Sequence, residues 1–312
     1  ISGLHATAPD AQKDIPVPAN PQDIIRLVGN PTEKNLVQSA EILAAISDNL
    51  KQALNTPAGA SFVMYVLLMG SDCQEREKQL NAIYRSLLNE GNKNCKGDTE
   101  HVLSLCDLIA NLKEDQKLPL VELAIPQLRS LTDVEKRGFL KTINALIIAD
   151  GKTTLFEFTI EWILNQYLIR DKEDLFATTT YFSIPQVGYH IVVILSALAN
   201  AGHTGNAEAA KSAFHAGVAQ IPELASKKPD FVYDEKINFA LFGTALKQLA
   251  LSSFKIKQSV VDACAHCAFA DKTITTAEME LLRVISLTMH CPLPPFAADN
   301  KSFKEKKKQF SS

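Results

Sequence analysis

From Pro21 onward the apolar residues recur at the spacing of an amphipathic helix, i, i+3, i+4, i+7. Leu36, Ala40, Leu43 and Ala44 form one such stripe, and Val63, Val66, Leu67 and Gly70 form another. Ile160, Ile163, Leu164, Tyr167 and Leu168 form a third. No convincing alternation of apolar and polar positions marks a strand. The pattern predicts an all-α fold, a helical bundle of about a dozen helices joined by short turns. Two stretches interrupt it. Residues 90–99 are polar, with Gly91 and Gly97, and predict an exposed loop. Residues 171–188 combine an acidic run, a threonine run and Pro185, and predict the boundary between two halves. The organisation expected is a linker over 1–20, where Pro9, Pro16 and Pro18 lie among small and polar residues, then a helical domain over 21–172. A connector over 173–189, a second helical domain over 190–296 and a charged tail over 297–312 complete it.

The most informative feature is an internal repeat at an offset of 121 residues, with copies near 120–170 and 241–291. One copy runs Ile147-Ile148-Ala149-Asp150-Gly151-Lys152-Thr153-Thr154-Leu155-Phe156-Glu157, and the other runs Ala268-Phe269-Ala270-Asp271-Lys272-Thr273-Ile274-Thr275-Thr276-Ala277-Glu278. In each an apolar helix ends in Ala-Asp, and a Glu follows seven residues after the Asp. Asp150-Gly151 is turn chemistry, because Gly tolerates positive φ beyond a helix end. Thr154 with Glu157, and Thr275 with Glu278, have the spacing of a capping box. The Thr oxygen accepts from the third helical N–H while the Glu reaches back to the cap N–H. Each copy therefore predicts a helix–turn–helix hairpin. A weaker third copy, around Leu67-Leu68-Met69-Gly70-Ser71-Asp72, lacks the capping box.

Catalytic motifs are sparse. None of the seven His is followed by Glu, so the zinc-protease pattern H-E-x-x-H is absent. No Walker loop, G-x-G-x-x-G or G-x-S-x-G is present. Cys264-Ala265-His266-Cys267, with His290 and Cys291 downstream, has zinc-like spacing. The repeat sets Cys264 and Cys267 against Ile143 and Leu146, however, so they are expected in the core. Asp150, Glu157, Asp271 and Glu278 are the candidates for a divalent cation, which wants several oxygen ligands. Turn formation and capping by Thr154 and Thr275 explain the same carboxylates, so a structural role is favoured. His203 is expected on an exposed turn, and Phe158 and Trp162 in hairpin packing.

Composition changes this picture little. Of 312 residues, 46% are hydrophobic and 21% charged, enough to bury a core in one or two domains. A net charge of −3 gives no field for nucleic acid, and Lys304, Lys306, Lys307 and Lys308 read as a solvated end. Six scattered cysteines do not form a disulfide framework and favour a reducing compartment. The most apolar run, around Ile191–Leu195, is expected to be too short to span a bilayer and to be a buried helix. The opening Ile1-Ser2-Gly3-Leu4 reads as mid-protein sequence, which leaves room for membrane attachment outside it.

The two hairpins resemble the tellurite-resistance TerB-like helical fold. Three stretches resemble the C-terminal extension of a bacterial subgroup of HtpX-like (CAAX-protease-like) membrane zinc metallopeptidases. They are Leu118-Pro119-Leu120-Val121-Glu122-Leu123-Ala124-Ile125-Pro126, Ala149 to Phe158, and Ala270 to Pro295. The resemblance spans most of residues 20–296. It implies a non-catalytic regulatory or protein-interaction region, whose partners are its own protease domain or that enzyme's protein substrates. It also implies zinc and membrane spans in a part outside this chain, and a place on the cytoplasmic face of the inner membrane. It carries no catalytic residue onto any position here. The alternative expectation is a divalent-metal-sensing module built on the Asp/Glu turns.

Overall fold

A computed structural model of the chain describes residues 44, 46–70, 72–89, 95–149, 151–169 and 179–291. The expected linker over 1–20, the first apolar stripe apart from Ala44, Asp150 and the tail over 297–312 lie outside them. Among the described residues the fold is all-α: thirteen helices and one short 3-10 turn, with no strand beyond an isolated bridge between Tyr181 and Ser252. The chain divides into two compact units, changing from one to the other between Phe176 and Ala177.

The first unit contains α1 (Asp48–Ala53), α2 (Pro57–Leu67), α3 (Cys73–Asn89), α4 (Cys95–Ala110), α5 (Glu114–Arg129), α6 (Asp133–Ile147) and α7 (Leu155–Leu168). Thr56 starts α2 by accepting from the Gly59 amide at 3.1 Å, and Pro57 occupies the first helical position, where a missing N–H costs nothing. Every residue of α2 from Gly59 to Leu67 is buried, and α1, α4, α5 and α6 pack around it. Cys95 to Thr99 are helical, although their polarity predicts a loop. They form the first turn of α4, which is apolar only further along. Gln79, wholly buried, ties the end of α2 to the end of α6. Its side-chain amide donates to the carbonyls of Leu68 (3.0 Å) and Leu146 (3.3 Å), and its oxygen accepts from the Gly70 amide at 2.8 Å.

The second unit contains α8 (Ile184–Gly202), α9 (Ala207–Val218), α10 (Pro222–Ala225), the 3-10 turn Asp234–Lys236, α11 (Phe239–Ala250), α12 (Phe254–Ala268) and α13 (Thr276–Thr288). Helix α8 begins inside the stretch whose Pro185 predicts a connector. That proline falls in the first turn, where amides have no intrahelical acceptor. At 19 residues α8 is longer than its apolar run predicts. Its mean hydropathy of 1.4 makes it long and apolar enough to cross a membrane by those measures alone. Yet 61% of that window is buried within the fold, and all the other elements of the unit pack on α8. Helices α6 and α12 occupy matching positions at the repeat offset, and α7 and α13 begin in register. The hairpins read from sequence are therefore present in both units.

Two helices of the second unit approach closely at Gly217 on α9. A β-carbon there would lie 2.8 Å from the Ala263 carbonyl oxygen and 3.0 Å from both Cys267 Cβ and Leu195 Cδ2. The carbonyl belongs to helical backbone, so accommodation requires α9 and α12 to separate. Gly217→Ala is expected to destabilise the chain by about 1–3 kcal/mol, as overpacking does, despite the better helix propensity of Ala. Urea denaturation checks this, and an unchanged or raised midpoint would contradict the close approach.

Candidate functional site

The repeat brings polar residues together at the end of the second unit where two interhelical turns meet. One turn joins α8 to α9. His203 caps the end of α8, its Nδ1 3.2 Å from the Ala199 carbonyl oxygen. Gly205 adopts φ 78°, and the Asn206 side chain accepts from the Ala209 amide to start α9. The other turn joins α12 to α13. Asp271 Oδ1 accepts from both the amide and the hydroxyl of Thr273 at 3.0 Å, a side-chain-closed turn. Lys272 takes φ 69° where the first unit has Gly151 at φ 76°. The left-handed turn is thus kept even where the glycine is not.

The sequence places His203 on an exposed turn as plain polar surface; the structure corrects this. Its side chain is only 9% exposed, and Nε2 lies 3.5 Å from Asp271 Oδ2, which faces solvent at 46%. The cause is tertiary: the α12–α13 turn folds over the α8 terminus and covers the imidazole. Sequence alone could not find this pair, because its members are 68 residues apart and the motif that contains Asp271 does not include His203.

Thr275 and Glu278 form the expected capping box. The Thr275 hydroxyl accepts from the Glu278 amide at 3.2 Å, while Glu278 Oε2 accepts from the Thr275 amide at 2.8 Å and from its hydroxyl at 2.9 Å. The same carboxylate lies against the first turn, since a β-carbon on Gly202 would fall 2.0 Å from Glu278 Oε1. Glu278 is 2% exposed. In the first unit, Thr154 and Glu157 make the same box at 2.7–3.2 Å, half-buried. A further box, Thr132 with Glu135, starts α6 in the open. Asp150 lies outside the described residues, so its place beside Glu157 is not part of this geometry.

Cys264 and Cys267 are wholly buried. Burial pushes both thiols well above their ordinary range, and for Cys267 the neighbouring Cys264 and the Glu278 charge act in the same direction. The Cys267 thiol donates to the Leu195 carbonyl at 3.6 Å. Protonated thiols in an apolar core are neither nucleophiles nor ready metal ligands. Phe158 and Trp162 stack on one another at 5.6 Å between ring centroids within α7.

The arrangement therefore offers one imidazole–carboxylate pair at a turn junction, His203 with Asp271 at 3.5 Å, beside a carboxylate committed to capping. Among the described residues no group of three or more His, Cys, Asp or Glu is placed to hold a metal ion. Comparison with models of known families, with curated proteins and with solved structures returns no significant match.

These three Thr–Glu capping boxes differ mainly in exposure, which orders their expected worth. Thr132→Ala removes an exposed cap and should cost least. Thr154→Ala should cost about 1 kcal/mol. Thr275→Ala should cost most, about 2–3 kcal/mol, because it also strips a buried carboxylate of a donor. The hydrogen bonds from Thr132 hold Glu135 below the usual carboxylate range. Its contribution is therefore complete above the ordinary Glu value and is lost as pH falls through the lowered one. Denaturation of the three variants at neutral pH checks the order; an equal loss at all three sites would contradict it.

Proposed function

We propose that this chain is a regulatory, protein-interaction region of a larger membrane zinc metalloendopeptidase of the HtpX-like type, and that it does no bond-breaking itself. The observation that supports this reading is the matched hairpin. A helix, a turn and a second helix started by a Thr–Glu box, the stretch on which the resemblance rests, recur in the second unit in the same helical register as in the first. The Thr and Glu of both boxes are occupied in holding helix ends, which is a scaffold's use of those groups. The zinc implied by the resemblance is the kind held by H-E-x-x-H, and none of the seven His of this chain is followed by Glu. It belongs to the protease part, and no step of hydrolysis is assigned to these residues.

In this reading the protease domain and its substrates meet the rigid helical surfaces, by packing helix against groove. A tethered module works at an effective concentration in the millimolar range, so it needs little intrinsic affinity. The isolated chain is expected to bind the solubilised peptidase, or a substrate of it, with a Kd on the order of 10–100 µM. It should also change the rate at which that substrate is cleaved. Affinity capture and cleavage assays with the whole chain test this. Absence of binding to both enzyme and substrate at several times that concentration would remove the proposal.

A further inference from the structure

A groove of about 730 Å³ runs along α9 in the second unit, away from the turn junction. One wall is the α9 face carrying Lys211 and His215, one helical turn apart. The other is the segment 228–236, which contributes Lys228, Phe231, Tyr233 and Lys236. Three lysines face one aspartate, Asp230, so the lining is cationic. Lys211 is already engaged: its ammonium lies 2.9 Å from Glu208 and 5.4 Å from the centre of the Tyr233 ring. Glu208 and Tyr233 together push Lys211 up to about 12, so it stays charged at any physiological pH. Lys228 and Lys236 are exposed, and no carboxylate lies within ion-pair distance of either among the described residues.

The groove is also built rather than incidental. The 228–236 segment is pinned to α8 at Val232, whose amide donates to the buried Ser196 hydroxyl at 3.1 Å and whose carbonyl accepts from Asn200 at 3.0 Å. Phe231 stands edge-on between the buried Phe214 ring, 5.6 Å away, and the Tyr233 ring, 5.3 Å away. An aromatic series thus runs from the core to the surface and ends under the Lys211 ammonium. Lys228 sits at φ 48°, a conformation that non-glycine residues seldom hold without support, and one that recurs at binding sites. A fixed apolar floor with unpaired cations beside it suits a ligand that is apolar in part and anionic in part. A small inorganic anion would leave the aromatic floor unused.

We propose that this groove docks an acidic peptide segment of a partner protein, with carboxylates reaching Lys228 and Lys236 and an apolar side chain lying on Phe231 and Tyr233. The proposal deepens the interaction-module reading and rests on it. The pinned segment lowers the ordering cost of binding, and the charge complementarity sets the partner's character.

Selection of random peptides on the immobilised full chain tests it. The selected peptides are expected to carry Asp or Glu beside an aliphatic or aromatic residue. A labelled consensus peptide, followed by fluorescence anisotropy, should bind about tenfold more weakly or worse to Lys228→Glu/Lys236→Glu. It should also bind more weakly to Lys236→Ala and as salt rises. Thermal melting of both variants verifies that they fold. Enrichment of neutral or basic sequences, or equal binding by folded variants, overturns the proposal. So does displacement of the peptide by inorganic phosphate beyond the effect of sodium chloride at equal ionic strength, which would mark a site for free anions. Binding of the wild-type chain, but not the variants, to phosphatidylserine-containing vesicles in place of peptide would mark a membrane site and overturn it too. A chain that takes acidic peptides but ignores the peptidase keeps the groove and loses the parent assignment; the opposite result loses the groove alone.

Discussion

The second unit depends on how it buries the carboxylate of Glu278. A carboxylate removed from water is unfavourable by several kcal/mol unless hydrogen bonds replace its hydration. Here the replacement comes from the amide and hydroxyl of Thr275 and from the positive end of α13. Because these donors lie on the first turn of one helix, the carboxylate is held in a single orientation, and its other oxygen is directed at Gly202. One group therefore fixes the start of α13 and the end of α8 together. Any side chain at position 202 would have to displace a charge that has nowhere wetter to go.

The first unit solves the same junction differently. It too has a capping box after the second turn, but Thr154 and Glu157 are half-buried, and its two turns are held by the neutral Gln79 reaching Leu68, Gly70 and Leu146. An amide has two donors and an acceptor, and can satisfy three backbone groups without a charge. In the second unit the His203–Asp271 contact links the two turns instead. The scaffold tolerates either solution because the helices are started by local caps, so the turn residues are left to vary.

This explains which parts could be read in advance. The hairpins around 147–157 and 268–278 were legible because a capping box is a contact between residues three apart, and a helix stripe is a contact every three or four. The core placement of Cys264 and Cys267 was legible because the repeat set them against Ile143 and Leu146. By contrast, the cover over His203, the Gln79 pin and the Val232 anchor join residues 9 to 68 positions apart and have no local signature. The full length of α8 was obscured by Pro185, a residue that reads as a breaker unless its place in the first turn is known. Polarity misled at Cys95–Thr99, where the first turn of a helix carries few core contacts and so need not be apolar.

The groove on α9 follows from the same packing that hides the helix's other face. Ala210, Ala213, Phe214 and Gly217 must face inward, because only small residues fit where α9 approaches α8 and α12, and Phe214 fills the space beside them. That requirement sets the rotation of the helix about its axis. With 3.6 residues per turn, Lys211 and His215 are then carried to the side facing segment 228–236. The segment itself cannot drift, because Ser196 and Asn200 of the buried α8 hold both polar groups of Val232. The positions of the cations are thus consequences of core geometry at Gly217 and of hydrogen bonding at Val232, neither of which touches the groove. A change that loosened either contact would be expected to blur the cationic lining before it unfolded the unit.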